Sequence, residues 1–220
     1  MTMKQEYIEK RSMYSSLVHM GNCFDLWTGQ EESNLINIIE AVKSKTMEWQ
    51  RYNPRKDIPR YGVSCTSLTG EIETPSIDLD SILEYNRENG TSYTELSFKT
   101  PTKYFHLIRP WIIGLEDHVR RSHILKLKPG GFFPIHRDIR RVDIMSFRLF
   151  LPILNCNPPH MAFIIDDKIQ TFEHGKIYFI NTSLAHAVTN FSMKESIFGV
   201  VNVELNEQAV RWVMKNVSAQ

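Results

Sequence analysis

The chain has 220 residues, 42% of them hydrophobic and 23% charged, and its 26 Lys plus Arg against 25 Asp plus Glu leave a formal charge of +1. That composition supports a sizeable core, argues against disorder, and offers no global charge for capturing nucleic acid or an anionic membrane. Cys23, Cys65 and Cys156 are odd in number and scattered, with no C-x-x-C pair, so neither a disulfide framework nor a thiolate zinc site is expected and a reducing, cytoplasmic setting fits.

Residues 1–11 carry Lys4, Glu6, Glu9 and Lys10 with no apolar stretch behind them, which does not describe a secretory signal. Ser33 is an N-cap candidate for a helix in which Leu35, Ile38, Ile39, Val42 and Trp49 recur at helical spacing. Residues 51–76, with Pro54, Pro59, Gly62, Gly70 and Pro75, read as a long loop or a few short extended pieces. A second helix is predicted over 78–89, stopped by Gly90 in a left-handed cap. Residues 104–118 are apolar enough for another helix, which Pro110 must start, kink or interrupt.

From residue 124 the pattern changes to strand-like runs: 124–128, the turn Pro129-Gly130-Gly131, then 132–138, 147–154, 161–165, 176–181 and 197–203. The longest apolar runs, 147–154 and 197–203, are far short of the ~20 residues that cross a bilayer and read as buried strands. A final helix over 206–216 places Val210, Val213, Met214 and Val217 on one stripe. The expected fold is mainly β with flanking helices, an antiparallel sandwich or small barrel in one domain spanning 1–220: a helical and loop support region (1–120), a β core (121–205) and a C-terminal helix (206–220).

The chemistry concentrates in the second half. His136 and Asp138 stand two positions apart at a strand end, so their side chains can leave one face, and His186 follows the strand-like run 176–181. Two imidazoles and one carboxylate leave open positions on a metal, which suits non-haem Fe(II) oxygen chemistry. Zinc hydrolases use similar sets with an added general base, and three ordinary polar residues would show the same short pattern.

The stretch Lys128-Pro129-Gly130-Gly131-Phe132-Phe133-Pro134-Ile135-His136-Arg137-Asp138, followed by Phe147-Arg148-Leu149-Phe150-Leu151-Pro152, resembles the Fe(II)/2-oxoglutarate-dependent oxygenases of the aspartyl/asparaginyl β-hydroxylase-like group, which includes proline cis-hydroxylases. Gly175 to Asn181, with His186 and Asn190-Phe191-Ser192, is similar to that group's distal-histidine segment. The resemblance, over residues 124–204, implies a double-stranded β-helix (jelly roll, cupin-like) core. It also implies Fe(II) held by His136, Asp138 and His186, and 2-oxoglutarate as cosubstrate. Dioxygen is then the oxidant and an amino acid, free or within a peptide, the substrate. The carboxylate ligand favours hydroxylation over halogenation.

Arg148 interrupts an apolar strand, and a buried guanidinium needs an anion; the resemblance places it near the site, holding a carboxylate of 2-oxoglutarate or substrate. In the family an arginine ten residues after the distal histidine binds the 5-carboxylate of 2-oxoglutarate, and that position here is Ser196. Lys194, as a Lys-x-Ser mimic, Lys126 and Arg148 are the candidate replacements, with a solvated role as the alternative for each lysine. Arg137, Arg140 and Arg141 with Asp143 could dress the site mouth or form a solvated basic loop; Trp49, Arg60, Tyr61 and Glu95 could belong to a lid or to ordinary packing. His106, His118, His123, His160 and His174 lack ligand spacing. The rival functions are desaturation or use of another keto acid on the same fold, and a catalytically silent cupin-like binding protein.

Overall fold

The computed structural model describes residues 3–29, 32–73, 76–138 and 144–217. In chain order the regular elements are α1 (Met3–His19), β1 (Cys23–Leu26), α2 (Glu32–Lys43), β2 (Gln50–Arg51), β3 (Arg60–Ser64), β4 (Thr66–Ser67), α3 (Ile82–Asn89), β5 (Thr100–Pro101), β6 (His123–Leu127), β7 (Phe132–His136), β8 (Ser146–Leu154), β9 (Met161–Ile165), β10 (Lys168–Gln170), β11 (Ile177–Ile180), β12 (His186–Asn190), β13 (Ser196–Glu204) and α4 (Glu207–Asn216). Two antiparallel sheets dominate, a seven-stranded one in the order β1-β11-β8-β13-β6-β3-β2 and a four-stranded one in the order β10-β9-β12-β7. They form the expected jelly roll, since consecutive strands from β6 onward alternate between the sheets except at the β9–β10 hairpin.

β8 and β13 read as continuous apolar runs because both of their faces are buried. One face packs on the helices: Phe147, Leu149, Leu151, Val201 and Val203 share a core with Leu17, Ile38, Trp111 and Val213. The other meets the small sheet, where Phe150 and Phe198 join Phe163, Phe172 and Val188. β7, whose residues are mostly exposed or half-buried, forms the open edge of the small sheet.

The helical expectations hold in part. α3 is capped by the Ser81 side chain, which accepts from Glu84 N, and by Gly90 at φ 63°, while α4 is capped by Asn206, which accepts from Ala209 N. α2 ends at Lys43, before Trp49, and Asp78 falls in a short 3-10 turn ahead of α3. Residues 104–118 are not an α-helix: they form three 3-10 turns, with Pro110 at the start of the second and Gly114, whose φ is 82°, between the second and the third. α1, β1, β10 and β12 were not anticipated. The first half also gives three strands, β1, β2 and β3, to the large sheet, of which β3 falls among the short extended pieces expected over 51–76. Among the described residues no helix is long and apolar enough to cross a membrane.

Candidate metal centre

β7 and β12 pair antiparallel with His136 directly opposite His186. Adjacent strands lie ~4.8 Å apart, so this register alone brings both imidazoles to one rim of the small sheet. Asp138 follows β7 and is pinned by its backbone N–H, which donates to the Thr182 carbonyl (3.1 Å) just before β12.

The geometry fits a metal. His136 Nδ1 lies 2.6 Å from the Pro134 carbonyl and His186 Nδ1 3.0 Å from the Leu184 carbonyl. An acceptor at Nδ1 draws the proton there and leaves each Nε2 lone pair free. The Nε2 atoms lie 3.3 Å from Asp138 Oδ1 (His136) and 3.2 Å from Asp138 Oδ2 (His186), and three ligand atoms fall within 4.8 Å of one another. Two ligands ~2.1 Å from one ion and at right angles to each other stand ~3 Å apart, so these spacings suit a shared ion. Asp138 Oδ2 is buried and receives no hydrogen bond of acceptable geometry, although charged neighbours crowd it, as an oxygen turned to a metal would be.

Arg148 completes the inner layer. Its Nη1 lies 2.7 Å from Asp138 Oδ2, and its Nε donates to Asn202 Oδ1 (2.9 Å), the residue opposite it on β13. Burial disfavours a charged Asp138, yet the Arg148 guanidinium and the two imidazoles hold the carboxyl well below the usual range. Burial likewise opposes charge on Arg148 and His136, and in each the Asp138 carboxylate reverses the balance and raises the pKa.

These groups open into a cavity of about 350 Å³. Its polar wall belongs to the large sheet and its flanks. Glu95 accepts from Asn202 Nδ2 (2.6 Å) and from Arg121 Nη1 (3.3 Å) and lies 3.9 Å from Arg148. Arg121 also donates to the carbonyls of Asp80 (2.6 Å) and Ile77 (3.3 Å). Arg60 enters from β3. Phe133, Phe150, Phe163 and Val188 supply the apolar lining.

Of the seven residues expected at the site, the structure brings four together: His136, Asp138, His186 and Arg148. The other three do not border this cavity. Lys126 points to the opposite face of β6, its Nζ 4.3 Å from the Trp49 ring centroid and 3.8 Å from Glu195. Lys194 is exposed on that same side, and the buried Ser196 hydroxyl donates to the Asn155 carbonyl (2.8 Å). Strand alternation explains the outcome for Lys126, since Leu125 and Leu127 take the inner face. Among the lid candidates, Arg60 and Glu95 line the cavity, whereas Trp49 and Tyr61 lie on the Lys126 side. Arg137 is exposed, and Arg140, Arg141 and Asp143 lie outside the described residues. Sequence reasoning gave no site role to Arg121 or Asn202; a charged or amide residue beside or within a buried strand was the signal.

The sequence profile of the family described as aspartyl/asparaginyl beta-hydroxylase matches residues 85–204, more than half of the chain and all three triad positions. The chain belongs to this family. The matched β-hydroxylase segment runs from within α3 to the end of β13. Among solved structures, this family member is similar to an oxidoreductase of the 2OG-Fe(II) oxygenase family from Burkholderia pseudomallei (12% identity, 91% of this chain and 92% of that one, TM-score 0.49). It is also similar to a Pseudomonas putida prolyl-4-hydroxylase (14% identity, 86% and 95%, TM-score 0.48) and a Bordetella pertussis cupin domain (17% identity, 39% and 81%, TM-score 0.31). No curated protein matches its sequence.

Proposed function

We propose that the protein is an Fe(II)- and 2-oxoglutarate-dependent dioxygenase that hydroxylates an amino acid, free or within a peptide. The observation that carries the reading is the cluster of His136 Nε2, His186 Nε2 and the Asp138 carboxylate on one cavity wall, with both Nδ1 atoms tied to backbone carbonyls. Membership of a β-hydroxylase family supports it.

His136, Asp138 and His186 would hold the iron. When bound, iron with 2-oxoglutarate supplies the oxidising power to insert one atom of dioxygen into a C–H bond, the cosubstrate leaving as succinate and carbon dioxide. The chain's own contribution is position and charge. The Pro134 and Leu184 carbonyls fix the imidazole planes, and Arg148 keeps Asp138 ionised and aimed. The aromatic lining would give the substrate carbon an apolar wall to lie against. Glu95 beside Arg121 and Arg148 offers one anionic and two cationic groups within the cavity, a combination suited to a zwitterion and poorly suited to a lipid or a nucleobase.

The test is an anaerobic titration of Fe(II)-loaded protein with 2-oxoglutarate, read by the visible charge-transfer band of a chelated keto acid. A panel of amino acids and short peptides then follows under air. A band that His186→Ala abolishes, and succinate formed with a product sixteen mass units heavier than its substrate, are expected (the mass of one added oxygen atom). Absence of both would return the protein to the silent cupin-like class, and a product two units lighter (loss of two hydrogens) would mean desaturation.

A further inference from the structure

Three arginines reach the cavity among the described residues, and two of them are matched by acids. Arg148 faces Asp138 and Glu95, and Arg121 faces Glu95. Arg60 is different. It is 3% exposed, makes no ion pair among the described residues, and its buried Nε has no hydrogen-bond partner. Its one polar side-chain contact is a long bond from Nη1 to the Phe132 carbonyl (3.3 Å). The guanidinium otherwise lies over aromatic faces, 4.6 Å from the Phe133 centroid and 5.3 Å from that of Tyr52. A buried, unmatched cation is disfavoured unless an anion arrives to meet it, and with both rings gathered on one side of it, their centroids 5.3 Å apart, the guanidinium fork keeps an edge for one.

Its place in the sheet says which anion. Arg60 on β3 is in register with Leu127 on β6, and Leu127 with Ser196 on β13, so the three form one row across adjacent strands. Position 196 is where the family resemblance expects a carboxylate-binding cation, and Arg60 sits two strand spacings, ~10 Å, along the same row. The long side chain of Arg60 runs inward from that row to line the cavity that also contains the triad. The Pro-Gly-Gly turn anchors it there. Lys128 N donates to the Pro59 carbonyl (3.0 Å), and a Cβ on Gly131 would lie 2.6 Å from that oxygen, so only glycine lets the turn and Phe132 close against the start of β3. Arg60 lies outside the family-matched segment 85–204.

We propose that Arg60 receives the distal carboxylate of the 2-oxo dicarboxylate cosubstrate, a bidentate contact made from β3 in place of one from β13. This assignment rests on the proposed function, and keto acids that differ in the distal group separate the two. Fe(II)-loaded wild type, R60M and R60Q are titrated anaerobically with 2-oxoglutarate and with 2-oxobutyrate, which chelates alike but has no distal carboxylate. R60Q keeps a polar group for the Phe132 carbonyl should R60M fail to fold. The expected result is a 2-oxoglutarate affinity roughly 10- to 100-fold weaker in the variants, the range for losing one charge-assisted pair, with 2-oxobutyrate unchanged. The double variant R60M/S196R, which returns the guanidinium to β13, is expected to recover part of the loss. Wild-type binding of 2-oxoglutarate that the single variants leave intact overturns the assignment and spares the function. An equal loss for both keto acids also overturns it, because Arg60 would then be supporting the fold. No binding of either keto acid by wild type overturns the function, and the assignment with it.

Discussion

The two walls of the cavity are built differently. The wall on the small sheet presents His136 and His186 from two paired strands, with Asp138 two residues from one of them, and its geometry follows from a short motif and one register. The wall on the large sheet and its flanks gathers Arg60, Glu95, Arg121, Arg148 and Asn202 from well-separated stretches of sequence. The first wall has the geometry to hold a metal ion and the second matches charge. A chelating triad tolerates little change, because each ligand is a fixed fraction of the coordination, whereas a charge network spreads each loss over several partners.

The sharpest way to break this comparison is at the triad. Asp138→Ala is expected to abolish Fe(II) or Mn(II) binding in anaerobic calorimetry, and retention of stoichiometric metal would remove the chelating wall from the account. Arg148→Met should be milder. By freeing Asp138 to turn, it is expected to weaken metal roughly 10- to 100-fold, the usual cost of losing an orienting partner, and to leave the stoichiometry at one. Metal affinity equal to wild type would show that the two walls act independently.

Gly131→Ala probes the join between the turn and β3. The new Cβ meets the Pro59 and Lys128 carbonyls at 2.6 and 2.9 Å, both backbone atoms, so a loss of roughly 1–3 kcal/mol is expected in denaturant unfolding. An unchanged midpoint would mean that the turn does not press on Arg60's strand.

A last comparison concerns pH. His123 is buried, and that burial, with the nearby Arg121 charge, pushes its pKa down to about 3, while its Nε2–H donates to the Asp78 carbonyl (2.7 Å). Its unfolded value is about 6.5. A folded pKa below the unfolded one means that stability is whole above pH ~6.5 and drains as pH falls toward 3, because the unfolded chain takes up the proton first. His123→Gln should flatten that acid limb in a series of thermal melts. The buried Asp78 carboxyl, raised to about 6 by desolvation, pulls the other way and costs stability as pH rises from about 4 through 6. A limb as steep in the variant as in wild type would assign the acid loss to other groups.

Much of the β core was legible because its strands are short apolar runs divided by Gly and Pro. α4 was legible because Val210 and Val213 recur at helical spacing, and both are buried, although Met214 from the same predicted stripe is 41% exposed. β12 was not legible, even though it carries His186. His-Ala-Val-Thr-Asn is only partly apolar, and its strand character comes from pairing with β9 and β7. The 104–118 segment misled for the converse reason: its apolar residues fill the core from 3-10 turns as well as they would from a helix.

The sequence by itself determined the composition of the core, the Pro-Gly-Gly turn, the triad residues and the absence of a cation at position 196. These are properties of residue type and local spacing, which a chain carries before it folds. Only the tertiary structure decided which face of β6 Lys126 occupies, which partners satisfy Arg121 and Arg148, and that Arg60 stands in one row with Ser196 without an acid of its own among the described residues. Those facts depend on strand register and on which side of a sheet each residue falls. A shift of one residue reverses every side chain, so they are fixed by long-range pairing and packing.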